Sequence, residues 1–295
     1  MINRVTNLTM TTAAQRGLQE HQARLAEAQD RATSLDKISR PSDDPAAMAS
    51  ALQTRSLQAA AAQYGRNIDD ATAWVTLGDS AMEQATNALN KVRDLTFQGG
   101  NGSLSPAARD ALAGEIESLN AELLQVANST FSGRNLFAGS SDAAGAFSPG
   151  NPPTFNGVAG SSVERRIGAE GTVRVDLDGA AIFGEGANST FALLSGITAA
   201  LRSGAAVSGQ VAAVDAKISG AIAARADLGT RQARLEKVAG TNKELESHLE
   251  NQRTGLEKED LGAMILNLKL QENNYQAALA ATAKVLQPSL MDFLR

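Results

Sequence analysis

The sequence predicts a mainly α-helical chain with a small β-rich insert: long N- and C-terminal helices form a coiled coil, a helical hairpin lies inside them, and the β domain points outward. Three observations carry that expectation. Apolar or small residues recur at steps of three and four through both ends and much of the middle. Aromatic residues are only 4% of the 295, while Ala, Ser, Thr, Asn and Gln are plentiful, which suits helices that meet through small side chains. Glycine, serine and proline gather in one internal stretch, Ser129 to about Gly186, where short alternating runs replace the helical period.

The N-terminal element, about Asn7 to Ser39, carries a sparse stripe of Leu8, Ala14, Leu18, Leu25, Ala28, Ala32 and Leu35. Thr6, Thr9, Thr11 and Thr12 are weak helix formers, so the opening residues are expected to be disordered in an isolated chain. At Ile38 to Ala46, Pro41 is expected to stop this helix. Ser42 or Asp43 is expected to cap the next one, and Pro45 fits its first turn, making Pro41, Ser42, Asp43, Asp44 and Pro45 a helix-capping turn. Paired aspartates also suit a metal, but with no third ligand or histidine nearby capping is the better reading.

A long helical pattern follows from Ala46 to about Phe97, with Met48, Leu52, Ile68, Trp74, Val75, Met82, Leu89 and Val92 on its stripe and a bend expected near Gly65 or Gly78. Gln98 to Gly102 ends it. Ser105 caps and Pro106 starts a second helix reaching Asn128, so the two form a helical hairpin. In the insert, Val163 to Ile167 and Val173 to Leu177 read as strands, Asp178-Gly179 as a hairpin turn and Ile182-Phe183 as a further alternating run. Helical spacing resumes from Phe191 to Leu201, breaks at Ser203 to Gly209 and continues through Val211 to Leu249.

The final stretch, Leu256 to Arg295, repeats the character of the first. Leu261, Met264, Ile265, Leu268, Tyr275, Ala278, Leu279, Thr282, Val285 and Leu286 form a stripe interrupted at Gln271 and Glu272. Its other faces carry few charges, Lys269, Glu272 and Lys284 between Leu261 and Met291, where a solvated helix face is normally charged. At about 1.5 Å per residue, Leu261 to Gln287 spans roughly 40 Å. A rod of that length with so little charge is expected to be covered by other helices. Pro288 removes a backbone donor, so a kink or stop is expected near Gln287.

The domains expected are 1–40, an N-terminal assembly helix partly disordered in the monomer; 41–140 with 190–255, a helical rod; 141–189, the β-rich outward insert; and 256–295, a C-terminal assembly helix. Composition excludes several functions. Cysteine is absent, and His21 and His248 belong to no H-E-x-x-H, so disulfides and thiolate metal sites are ruled out and no metal or cofactor is expected. A net charge of -5 without a basic cluster argues against nucleic acid. No run approaches a membrane span and Met1 to Gln15 lacks a secretory signal, so neither membrane insertion nor a cleavable leader is expected.

Four motifs then carry a resemblance. Arg40-Pro-Ser-Asp-Asp-Pro-Ala46, Gly102-Ser-Leu-Ser105, Asn128 with Gly133-Arg-Asn-Leu-Phe-Ala-Gly139, and Ser289-Leu-Met-Asp-Phe-Leu294 resemble, in register, the flagellar hook-associated protein 3 family, the hook-filament junction proteins related to flagellin. The likeness covers roughly residues 1 to 140 and 190 to 295; the insert agrees only in general character. The resemblance implies a structural protein of the bacterial flagellum. Its terminal helices would line a hollow helical assembly, between hook-associated protein 1 and the flagellin filament. It also implies export through the flagellar type III apparatus to the cell exterior, with an export chaperone on the carboxyl-terminal region. The partners implied are therefore further copies of the chain, hook-associated protein 1, flagellin and that chaperone.

The residues expected at the assembly interface are Leu8, Leu18, Leu25, Leu261, Ile265, Leu268, Tyr275, Leu279 and Leu286. For Leu18, Leu25, Leu261 and Leu268 an intramolecular core position is an equal alternative. Two other readings stand beside the junction protein. One is a flagellin filament subunit. The more distant is an insert with hydrolytic carboxylates among Asp142, Glu164, Asp176 and Asp178, or with Arg165-Arg166 holding an acidic glycan; no histidine or nucleophile motif accompanies them.

Overall fold

A computed structural model describes residues 7–38, 40–158 and 160–286. The expected kink at Pro288, the Ser289 to Leu294 motif, and the side chains of Leu8 and Leu286 lie outside the described residues. In chain order the elements are α1 (Asn7–Ser34), α2 (Pro45–Gly99), α3 (Pro106–Ala127), β1 (Thr130–Phe131), β2 (Arg134–Asn135), β3 (Phe147–Ser148), β4 (Thr154–Phe155), β5 (Glu164–Arg166), β6 (Thr172–Arg174), α4 (Gly179–Phe183), α5 (Thr190–Ser203), α6 (Val211–Glu257) and α7 (Leu261–Leu286). The chain divides into two compact units, Ala60–Leu245 and the remainder on either side of it.

The larger unit holds the main core. In α2 the buried positions Ala61, Ile68, Val75, Met82, Leu89 and Thr96 recur every seventh residue, and in α6 Val214, Ala221, Leu228, Leu235 and Asn242 do the same. A strict seven-residue repeat on two helices is the signature of a left-handed coiled-coil seam. The helices run antiparallel: Asn242 Nδ2 donates to the Ala61 carbonyl at 3.1 Å, and Arg225 pairs with Asp79 at 2.7 Å and with Glu83 at 3.1 Å. Gly78 sits on this seam, where a Cβ would meet Leu177 at 3.4 Å and Leu228 at 3.6 Å. Its value is close approach, and α2 continues as helix through both Gly65 and Gly78.

Ser105 caps α3 by accepting from the Ala108 N–H at 3.2 Å, and Lys91 on α2 meets Glu115 on α3 at 3.0 Å, as expected of the hairpin. Arg202 on α5 is held by Asp110 and Glu117 of α3, and those hydrogen bonds raise the Arg202 pKa above its ordinary value. Among the described residues the strands form three short antiparallel hairpins, β1 with β2 just ahead of the insert at 141–189, and β3 with β4 and β5 with β6 within it.

Asp178-Gly179 is not a hairpin turn. Asp178 accepts from the Ala181 N–H at 3.1 Å and caps α4, which takes up Ile182 and Phe183. Gly179 is required there because a Cβ would stand 2.5 Å from the Phe137 carbonyl oxygen.

Phe147 joins insert to helices. Its ring lies 5.1 Å from Phe155, 5.1 Å from Phe191 and 5.9 Å from Phe183, all tilted or edge-on. Truncation to alanine leaves a cavity among rings that cannot collapse into it. Phe147→Ala is expected to destabilise this unit by about 3–5 kcal/mol, read as a lowered midpoint in urea unfolding followed by Trp74 fluorescence.

Candidate assembly interface

The terminal helices pair with each other. Helix α1 packs along α7, and their direction is antiparallel because the end of α1 meets the start of α7 through an Asp36 to Lys258 bridge. Less exposed positions on α1 fall at Thr11, Ala14, Leu18, His21, Leu25, Ala28 and Ala32, and on α7 at Met264, Leu268, Gln271, Tyr275, Ala278 and Thr282. Both sets alternate steps of three and four, so each helix offers one narrow seam. Gln271 continues the α7 seam, and half-buried Glu272 flanks it, so neither interrupts it.

The expected interface residues therefore separate into two groups. Leu18, Leu25, Leu268 and Tyr275 lie on the seam between α1 and α7. Leu261, Ile265 and Leu279 lie off it, exposed by 57%, 52% and 42%; Leu266 at 73% and Leu270 at 56% extend the apolar surface around the back of the same helix. Those last two were not anticipated. Their position half a turn from the stripe, on a face almost without charge, was the available signal.

The seam itself is thinly built. Among the described residues of this unit the buried apolar side chains are Ala28, Ala51, Leu249 and Met264, none of them aromatic. Most helical stability in a protein comes from packing of an apolar face, so a pair packed this thinly gains more from additional neighbours than an ordinary core helix does.

Both helices stop earlier or start later than expected. Helix α1 ends at Ser34, not at Pro41, because Leu35 takes a left-handed conformation with φ 59° and the chain turns to pair with residues after α6. Lys37 N–H donates to the Glu257 carbonyl at 2.7 Å and Glu259 N–H to the Leu35 carbonyl at 3.3 Å. Helix α7 starts at Leu261, with Asp260 accepting from the Gly262 N–H at 2.6 Å.

In the capping turn the cap of α2 is Asp44, not Ser42 or Asp43. Its carboxylate accepts from the Ala47 N–H at 2.9 Å, with Pro45 as the first helical residue. Asp43 instead accepts from the Arg40 N–H at 2.9 Å, closing the turn. Pro41 and Ser42 are exposed in that turn.

Ion pairs line the crossing, where residues 35–37 meet residues 257–259. Glu257, buried at the end of α6, accepts from Arg55 at 2.7 Å and from Arg253 at 3.2 Å, and the Glu257 hydrogen bond raises the Arg55 pKa. Arg253 and then Gln58 donate to Glu250 and lower its pKa. A cavity of about 600 Å³ beside α1 is lined by Glu27, Asp30, Arg31, Arg40 and Asp43, charges of both signs with no nucleophile and base in partnership.

Of the candidate carboxylates, Asp142 is 94% exposed at 3.5 Å from Arg134 and Glu164 is exposed, while Asp178 caps α4. Asp176 is fully buried, accepting from the Val163 N–H at 2.7 Å and from Arg174 at 3.0 Å. Arg165 pairs with Asp70 at 2.6 Å and lies 5.3 Å over the Trp74 ring, while Arg166 donates to the Gly168 and Ala169 carbonyls. Neither arginine is left as a free anion contact. Among the described residues no group of three or more His, Cys, Asp or Glu is arranged to hold a metal, and no helix is long and apolar enough to cross a membrane.

Comparison with known proteins agrees with this architecture. Residues 5–142 match the bacterial flagellin N-terminal helical region. Flagellar hook-associated protein 3 of Escherichia coli is 27% identical over 90% of this chain and 92% of its own length. The Salmonella typhimurium protein of the same name is 30% identical over 57% of this chain, an alignment spanning about half (52%) of that relative. The flagellar junction protein FlgL of Legionella pneumophila has the same fold, with a TM-score of 0.59 at 15% identity over 71% of this chain and all of that one. The chain thus resembles flagellar hook-associated protein 3, and its residues 5–142 resemble the N-terminal helical region of bacterial flagellin.

If the seam holds the terminal pair, a charge placed in it must undo both helices at once. Met264→Asp is expected to abolish amide protection along α1 and α7 together, by hydrogen exchange, while the Phe147 cluster keeps its protection. Uniform protection of α1 after the substitution would show that it does not depend on α7.

Proposed function

On this likeness to flagellar hook-associated protein 3, we propose that the chain is a structural subunit of the bacterial flagellum that joins the hook, through hook-associated protein 1, to the flagellin filament. It is exported through the type III apparatus, guided by a chaperone on its carboxyl-terminal region, and acts outside the cell. The observation that carries the reading is the unpaired apolar surface of α7. A helix already seamed to α1 still exposes Leu261, Ile265, Leu266, Leu270 and Leu279, more than a helix facing only water carries.

Repeating one heterologous contact with a helical rotation makes a tube. Further copies of the chain, hook-associated protein 1 on one side and flagellin on the other, would cover this surface in turn. Leu18, Leu25, Leu268 and Tyr275 would support it by holding α7 straight; the side chains of Leu8 and Leu286, also expected at the interface, lie outside the described residues. A flagellin subunit is the second reading, favoured by the flagellin-type region over residues 5–142. Deleting the gene separates the two: loss of a junction subunit releases unpolymerised flagellin into the medium, and loss of flagellin leaves none to release.

The outer surface is tested apart from the seam by Leu261→Ser with Ile265→Ser and Leu279→Ser. The triple variant should keep the helical signal and protection of the α1 seam yet fail to enter the filament base. A variant that still seeds filaments at the wild-type rate would remove this surface from assembly.

A further inference from the structure

The two places where the terminal helices leave the rest of the chain lie against each other, at residues 35–37 and 257–259. Neither segment contains glycine or proline, so the helices are not stopped there by their own breakers. Leu35 sits at φ 59°, a region in which any Cβ crowds the neighbouring carbonyl oxygen, so surrounding contacts must hold it. Those contacts are polar. Beyond the two backbone hydrogen bonds, Lys258 Nζ meets Asp36 at 2.7 Å, and Glu257 is gripped by Arg55 and Arg253.

Apolar packing beneath the crossing is incomplete. A cavity of about 60 Å³ lies there, lined by Asp36, Ile38, Met48, Ala51, Arg55 and Glu257. Meanwhile the neighbouring helices are capped without it: Asp44 closes the start of α2 and Asp260 the start of α7. Opening the crossing would leave those two caps intact.

We propose that residues 35–37 and 257–259 form a clasp that works as a hinge, fastened by the Arg55, Glu257, Arg253 group and the Asp36 to Lys258 pair. Releasing it frees the α1 and α7 pair to turn without melting either helix. Glu257 is the fastening residue, since its carbonyl takes the Lys37 N–H while its carboxylate takes two guanidinium groups. The inference goes beyond the junction reading and does not depend on it, because it concerns the free chain.

Hydrogen exchange on the purified full chain tests it. Glu257→Gln should speed exchange at the Lys37 and Glu259 amides at least tenfold, leaving the amides of α7 beyond Met264 and those of α2 beyond Ala51 unchanged. Leu35→Gly, which removes the left-handed cost without touching a charge, should slow exchange at the same two amides. Unchanged exchange at Lys37 and Glu259 in Glu257→Gln would overturn the proposal. So would acceleration spread evenly through α1 and α7, because the clasp would then be one part of a single cooperative unit. Loss of the helical signal in either variant also counts against it, since a hinge is not needed for folding.

Discussion

The narrow seam between α1 and α7 is the constraint on which the proposed assembly role depends. Two helices that touch along a single three-and-four stripe remove little surface from water, and here the stripe is filled by Ala14, Ala28, Ala278 and Thr282 as often as by leucine. The pairing keeps α7 helical and presents its remaining sides outward. Had the seam been wide and aromatic, α7 would have been an ordinary core helix with nothing left to offer. Its weakness within one molecule and its availability between molecules have the same cause.

The two units answer different demands. Trp74, Phe137, Phe147, Phe183 and Phe191 are all fully buried in the larger one, where they pack insert, hairpin and long helices around one core. None of the described aromatic side chains is fully buried in the smaller one. Its order comes from the seam, from caps at Asp44 and Asp260, and from ion pairs around Glu257. Ion pairs with an exposed member contribute little each, so the smaller unit has little beyond its narrow seam and caps to hold it, while the larger one is held by a packed apolar core.

Much of this was legible in the residues because the long helices advertise their period and Ser105-Pro106 marks a helix start. What escaped reading escaped for physical reasons. The seven-residue repeat of α2 and α6 was hidden because Thr54, Ala61, Thr96, Ala221 and Asn242 occupy seam positions, and small or polar residues give no hydrophobic signal although they are buried. Helix α1 was read too far because its stop at Ser34 is imposed by pairing with residues more than two hundred positions away, with no local breaker to announce it. Asp178-Gly179 has the composition of a hairpin turn and became a helix cap because Phe137 stands against it. At the interface, Leu18, Leu25, Leu268 and Tyr275 could not be told from Leu261, Ile265 and Leu279 by spacing alone; the partner helix had to be placed first.

Accessibility of single cysteines tests the central claim most directly, since the chain has none of its own. Cysteine is placed at Leu266, on the back of α7, or at Met264, in the seam, and maleimide labelling is compared between the free chain and the purified appendage. The account predicts that Leu266→Cys labels fast when free and is shielded on assembly, while Met264→Cys labels slowly in both. Equal labelling of Leu266→Cys in the two states, or fast labelling of Met264→Cys in the free chain, would contradict it.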